Sequence, residues 1–166
     1  MRAPKVKVCG ITRLEDAVAA CEAGVDVLGF NFAPEARKRD RYIEPDDARA
    51  IIDQLPPFVI TAAICVNEPT DRLIEFLGFV DYVQLHGEET VEQCRAVASR
   101  AIKSFRVGSS FDPDTMLSYP ARLYLLDACV PGSRCDSAKS ALKTVTSISG
   151  RIKFVNLSIP RSGRLS

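Results

Sequence analysis

Ile60-Thr61-Ala62-Ala63-Ile64-Cys65-Val66 is the stretch whose character decides the fold. It is a near-continuous apolar run, not an alternating one. Such runs suit a strand of a parallel sheet covered on both faces. Working outward, further β-rich runs lie at Lys5–Cys9, Val25–Phe32, Phe58–Val66, Val80–Leu85, Ala101–Arg106 and Arg122–Ala128. Their starts recur about every 20–35 residues, the period of a strand followed by a helix.

The segments between them carry helical spacing. Leu14, Ala17, Val18 and Cys21 form one apolar face, as do Ala48, Ile51, Ile52 and Leu55 after Pro45. Leu73, Ile74 and Leu77 follow Pro69; Val91, Cys94 and Ala98 follow Thr90; Asp112-Pro113 opens a weaker helix through Met116 and Leu117. Thr12 with Glu15 reads as a capping box for the first helix. Six βα units result, or five and a half, with right-handed crossovers placing helices outside a parallel sheet. An open doubly wound sheet and most of a (β/α)8 barrel both fit this pattern.

The 166 residues suit a single domain with a sizeable core, and the net charge of +1 gives no global sign of nucleic acid or an anionic membrane as partner. The charge asymmetry is local. Residues 133–166 hold seven Lys/Arg against the single Asp136, and eight serines. Without aromatic interleaving beyond Phe154, this basic tail reads as a solvated or atypical end and not as a nucleic-acid arm. Within it, Ala141, Val145 and Ile148 suggest a short helix, and Ile152–Leu157 a strand able to add one edge to the sheet. No run approaches the ~20 apolar residues of a membrane span, and no signal-peptide apolar region opens the chain. A cytoplasmic location is expected. Cysteines 9, 21, 65, 94, 129 and 135 are then expected as reduced thiols. With no Cys-x-x-Cys pair and one histidine, no metal site is expected.

Four places carry chemistry. Cys9 ends the first strand before Gly10, facing a helix amino terminus, where α/β folds usually place their reactive groups and where a thiolate is favoured. Cys21, Cys65 and Cys94 lie in apolar faces and read as buried packing residues. Asp127 closes the run Leu123-Tyr124-Leu125-Leu126, and burial there is expected to raise its carboxyl pKa towards that of a proton donor. Gln84 and His86 alternate with Val83 and Leu85, so both project to one face. The basic loop Ala36–Arg41, after Gly29-Phe30-Asn31-Phe32, offers arginines suited to an anionic group.

Together, Lys7-Val8-Cys9-Gly10-Ile11-Thr12, Leu28–Phe32, Arg41-Tyr42, Val66-Asn67, Val83-Gln84-Leu85-His86-Gly87-Glu88 and Leu125-Leu126-Asp127 resemble phosphoribosylanthranilate isomerase, in order and spacing, over about residues 5–132. That family has a (β/α)8, or TIM, barrel and acts in tryptophan biosynthesis. The resemblance implies an Amadori rearrangement of N-(5-phosphoribosyl)anthranilate to 1-(2-carboxyphenylamino)-1-deoxyribulose 5-phosphate, without metal or organic cofactor. It implies Asp127 as general acid, Cys9 as general base, Arg41 as the holder of the anthranilate carboxylate, and Gln84 and His86 as pocket-lining residues. The expected partner is this small phosphosugar substrate.

The family pattern continues with Gly-rich phosphate-holding loops, whereas this chain has Ser133-Arg134-Cys135-Asp136-Ser137-Ala138-Lys139. The expectation is an incomplete α/β TIM barrel: residues 1–132 form a partial isomerase domain, and residues 133–166 form an atypical tail in place of the last two βα units. No phosphate-binding residue is identified. Such a truncation is expected to impair turnover and to expose the edges of strands 1 and 6, giving possible self-association. The alternative is a catalytically inactive barrel fragment or a partner-dependent module.

Overall fold

The computed structural model describes residues 5–107, 111–128 and 154–158, the last segment as backbone. Six strands, β1 (Lys5–Cys9), β2 (Val27–Asn31), β3 (Ile60–Cys65), β4 (Tyr82–Leu85), β5 (Ala101–Val107) and β6 (Leu123–Ala128), alternate with helices α1 (Leu14–Glu22), α2 (Pro45–Ile52), α3 (Thr70–Phe76), α4 (Val91–Ala96) and α5 (Asp114–Leu117). A seventh strand, β7 (Phe154–Ser158), pairs with β1. All pairings are parallel, and the sheet order is β6-β5-β4-β3-β2-β1-β7. The sheet is a curled part of a TIM barrel. Among the described residues five βα units and a sixth strand are present, the five and a half of the expected count; the strands that the sequence marks begin and end within two residues of those observed.

Two corrections concern the edges and the first helix. Strand β1 is not an edge, because Lys5 through Cys9 pair with Phe154 through Ser158. The tail strand expected at Ile152–Leu157 therefore forms, shifted to Phe154–Ser158. The short helix expected near residues 141–148, Cys129, Cys135 and the rest of the tail lie outside the described residues.

The Thr12–Glu15 capping box does not form. Helix α1 begins at Leu14, its N-cap is Arg13, and no side chain caps it. Arg13 instead donates to the Asp16 carboxylate in the first turn at 2.9–3.0 Å. The box occurs at α4, where Gln93 N donates to Thr90 Oγ1 (3.1 Å) and Thr90 N donates to Gln93 Oε1 (2.9 Å).

Between sheet and helices lies the main apolar layer. Leu28, Phe30, Ala63, Cys65, Val83 and Leu85 from the strands pack towards the helices that carry Ala17, Ala48, Leu73 and Phe76. A fully buried side chain of the Leu or Phe class contributes about 1.5–3 kcal/mol. The opposite face of the sheet holds a smaller cluster of Val27, Ala62, Ile102 and Leu125, with Tyr82 and Leu123 against it. Strands β2 to β6 feed both layers through their two-residue alternation. This is why the interior runs are apolar without a polar partner at every second position.

Candidate active site

Strand register decides which side chains share a face. In a parallel sheet, residues level with one another project to the same side. Cys9 is level with Gly29, Gly29 with Ala62, and Ala62 with Tyr82. Ile64 is level with Gln84, and Gln84 with Ile102. Ile102 is level with Leu123, and Arg106 with Asp127. Cys9, Gln84 and Asp127 thus lie on the inner face with Val27 and Ala62, near the carboxyl ends of their strands. His86, two residues after Gln84, follows the same parity.

The β1 side of the site is built by close packing. Cys9 is buried, and so is Lys7, two residues earlier on the same face. The Lys7 ammonium donates to Cys9 Sγ. A charged group taken from water needs a polar partner, and the sulfur supplies one. The neighbouring strand makes room with Gly29: a Cβ there would lie 2.9 Å from Lys7 Nζ, 3.1 Å from Cys9 Sγ and 3.1 Å from Ile64 Cδ1. Lys7 is the site residue that the sequence reading leaves among the alternating lysines of a strand. The available signal is its spacing of two from Cys9. Lys5, two residues earlier again, is exposed and pairs with Asp26.

Arg41 reaches the same corner. Gly10 adopts φ +85°, and a Cβ on it would stand 3.1 Å from Arg41 Cγ, so the arginine stem crosses directly over the turn that follows Cys9. Gly10 N and Ile11 N both donate to Gly29 O, at 2.9 and 3.1 Å. The basic loop is a 3-10 turn, Pro34–Arg39, closed by Asp40 at φ 52°. Its return is fixed by the Asn31–Tyr42 bridge and by Ile43 N donating to Asn31 O at 3.1 Å. Arg37 is spent on Glu44 (2.7 Å) and lies over the Tyr42 ring. Arg41 is thus the arginine of this loop that the fold brings to Cys9.

The β4 and β6 side holds the second group. Gln84 Nε2 lies 3.1 Å from His86 Nδ1, and His86 Nε2 lies 3.5 Å from an Asp127 carboxylate oxygen. With the Gln84 amide as donor, Nδ1 accepts and Nε2 carries the proton that faces Asp127. Gln84 is buried, and its Oε1 has no hydrogen-bond partner.

Asp127 departs from expectation. Its carboxyl pKa is lowered, first by the hydrogen bond from His86, against an opposing push from burial, with the His86 and Arg106 charges adding to the lowering. The carboxyl is only half-buried, so desolvation does not win. Two of the packing thiols are as expected, Cys65 and Cys94 being buried, while Cys21 is only half-buried against the core; burial pushes the pKa of all three upward.

A third cluster escapes the sequence reading. Glu89 and Lys103 form a buried ion pair of 2.9 Å beneath the loop that carries His86. A glutamate in a loop and a lysine in a strand, 14 residues apart, carry no spacing that marks them as partners.

The chain as a whole is similar to known proteins. The family model described as N-(5'phosphoribosyl)anthranilate (PRA) isomerase matches residues 6–149. The N-(5'-phosphoribosyl)anthranilate isomerase of Thermotoga maritima is 43% identical over 131 residues, covering 76% of this chain and 62% of that protein. The Pelobacter propionicus protein of the same name is 46% identical over 132 residues, covering 78% of this chain and 61% of its own length. This chain therefore spans a little over three fifths of these relatives. Among solved structures, the Thermus thermophilus phosphoribosyl anthranilate isomerase superposes with a TM-score of 0.75 at 33% identity, over 93% of this chain and 86% of that one. A phosphoribosyl anthranilate isomerase solved with reduced 1-(o-carboxyphenylamino)-1-deoxyribulose 5-phosphate superposes with a TM-score of 0.68 at 34% identity, over 94% and 87%. On its sequence and its fold, the chain belongs to the N-(5'-phosphoribosyl)anthranilate isomerase family.

Proposed function

We propose that this chain carries the acid, the base and the carboxylate-holding residue of a phosphoribosylanthranilate isomerase of tryptophan biosynthesis. The observation that supports the reading is the inner face shared by Cys9, at the end of β1, and Asp127, at the end of β6. An aldose-to-ketose rearrangement needs an acid at the sugar ring oxygen and a base at C2′. On this reading Asp127 protonates the ring oxygen of N-(5-phosphoribosyl)anthranilate, and the ring opens to a Schiff base. Cys9 removes the C2′ proton, and the resulting enolamine tautomerises to the ketone. Arg41 pairs with the anthranilate carboxylate, and Gln84 and His86 line the pocket.

The lowered Asp127 pKa constrains the acid step. The hydrogen bond from His86 favours the carboxylate form. An entering substrate that carries a carboxylate and a phosphate excludes water and brings negative charge, and both effects raise a carboxyl pKa. Asp127 then takes a proton from solvent as the substrate enters, and the His86 Nε2–H stays beside it as a hydrogen-bond donor.

Residues 1–132 are proposed as the partial isomerase domain and residues 133–166 as the segment in place of the last two βα units. No described residue is assigned to the substrate phosphate. Binding energy remote from the reacting carbons contributes to the chemical step, so turnover below that of a full-length relative is expected. Strand β6 pairs on one side among the described residues, and its outer edge is the proposed site of self-association.

The test is an assay following loss of substrate anthranilate fluorescence with the chain, Cys9→Ala and Asp127→Asn. Residual turnover that disappears in both variants supports the assignment. Turnover untouched by either variant, or none above the uncatalysed rate at any protein concentration, overturns it.

A further inference from the structure

The Glu89–Lys103 pair sits outside the chemistry just described, and among the described residues it is a densely hydrogen-bonded cluster at the carboxyl end of the sheet. The side chains of both residues are nearly or fully buried, at 0% exposed for Glu89 and 4% for Lys103. Burying two charges costs several kcal/mol per ion, and an apolar pair of similar volume often does as well for stability. The contacts made by this pair point to a role beyond stability.

Glu89 Oε1 accepts from Gly87 N and from Asn67 N, both at 3.0 Å, and Oε2 accepts from Gly87 N at 3.1 Å. Lys103 Nζ donates to Glu89 Oε2 (2.9 Å), to Gly87 O (2.8 Å) and to Leu85 O (3.3 Å). Gly87 is therefore held at both its N–H and its C=O, and Leu85 at its C=O. His86 is the residue between them.

Asn67 joins the neighbouring loop to this one. Its Oδ1 accepts from Glu88 N at 2.7 Å, and its backbone takes a left-handed φ of 55° to reach there. The approach is so close that a Cβ on Gly87 would lie 2.4 Å from Asn67 Oδ1. His86 N in turn donates to Cys65 O at 2.9 Å. The backbone on both sides of His86 is thus fixed to the β3 end, to the loop after β3 and to β5.

We infer that Glu89, acting through Lys103 and Gly87, is the positioning residue that sets the His86 ring against Asp127. The His86–Asp127 separation of 3.5 Å is at the outer limit of a hydrogen bond. A backbone drift of a few tenths of an ångström at residue 86 breaks it. Without the Glu89 carboxylate, Gly87 N and Asn67 N lose their acceptor and Lys103 its counter-charge, so the loop has to move. This inference deepens the functional reading above and rests on it for its meaning, since it assigns a support to the proposed acid.

His86 is the only histidine of the chain, so a 15N-histidine-labelled sample gives ring signals with a single origin. The chain, Glu89→Gln, Asp127→Asn and the double variant are compared at one pH, without substrate. In the unsubstituted chain, Asp127→Asn shifts the Nε2 signal. The expected result is that Glu89→Gln produces much of that shift by itself, and that Asp127→Asn adds little on the Glu89→Gln background.

A role confined to stability predicts a lower unfolding midpoint with the Nε2 signal, and its response to Asp127→Asn, unchanged. That outcome overturns the inference. If Glu89→Gln fails to fold, Asn67→Gly decides. It keeps the ion pair and accepts the left-handed φ of 55° while cutting the side-chain tie to Glu88, and a smaller shift in the same direction is required. Because no turnover is measured, loss of the isomerase reading leaves this result standing, and a null result here leaves that reading to its own assay.

Discussion

His86 Nε2 faces the Asp127 carboxylate at 3.5 Å across strands β4 and β6, and this contact, more than burial, sets the state of the acid. Asp127 has a folded-state pKa below its ordinary value of 3.8. A depressed carboxyl stabilises the fold above its unfolded pKa, and that stability is lost as pH falls through the folded pKa. The difference in urea midpoint between the chain and Asp127→Asn should therefore be present at pH 5 and close as the pH is taken below about 3.8. A difference that widens with acid would mean that burial raises the Asp127 pKa after all.

Gly29 is the second point of leverage. Its missing side chain is the space in which Lys7 and Cys9 meet, and a Cβ would stand 2.9 Å from the Lys7 ammonium and 3.1 Å from the Cys9 sulfur. Neither neighbour has free room, since both are buried. Gly29→Ala should cost about 1–3 kcal/mol in urea unfolding, the usual range for overpacking. It should also change the alkylation rate of Cys9, read by peptide mass spectrometry. An unchanged midpoint with unchanged Cys9 alkylation would show that the corner is looser than the packing described.

Much of this was legible in the chain itself, because the parallel sheet writes its order as apolar runs at a regular period. Ile60–Cys65, for example, lies against helices on one face and barrel interior on the other, and so carries no alternation. Cys9, Asp127, Gln84 and His86 could be picked out because a polar residue at the end of an apolar run is conspicuous. What stayed hidden depends on contacts distant in sequence. Lys7 looks like the solvated side of a strand until β2 is laid beside it with Gly29. Glu89 and Lys103 become partners only when β5 pairs beside β4. The direction of the Asp127 shift hung on whether His86 would reach it, which no local pattern encodes.

The helix caps give a direct comparison between a sequence signature that forms and one that does not. Thr90 accepts from Gln93 N at 3.1 Å and completes its box, while Thr12 caps nothing because α1 starts beyond it. Thr90→Ala should lower stability by about 0.5–2 kcal/mol, the usual cost of losing an N-cap. Thr12→Ala should stay within about 0.5 kcal/mol, as for a surface substitution away from such features. Urea titrations of the two variants side by side check the ordering; equal losses would mean that the Thr12 box forms in solution.

Breaking the buried pair is the most severe single change expected. Lys103→Met leaves the Glu89 carboxylate buried without its counter-charge, and such a loss costs about 3–5 kcal/mol. In many proteins a second, apolar replacement recovers that loss. Here it should not, because the Glu89 oxygens also accept from Gly87 N and Asn67 N. Glu89→Leu with Lys103→Met removes the charge problem but orphans two backbone donors, each costing about 1–3 kcal/mol when left buried and unpaired. The double variant should therefore remain well below the unsubstituted chain in urea unfolding. Full recovery would place those donors in contact with water, and would make the carboxylate a replaceable filler and not the anchor of two loops.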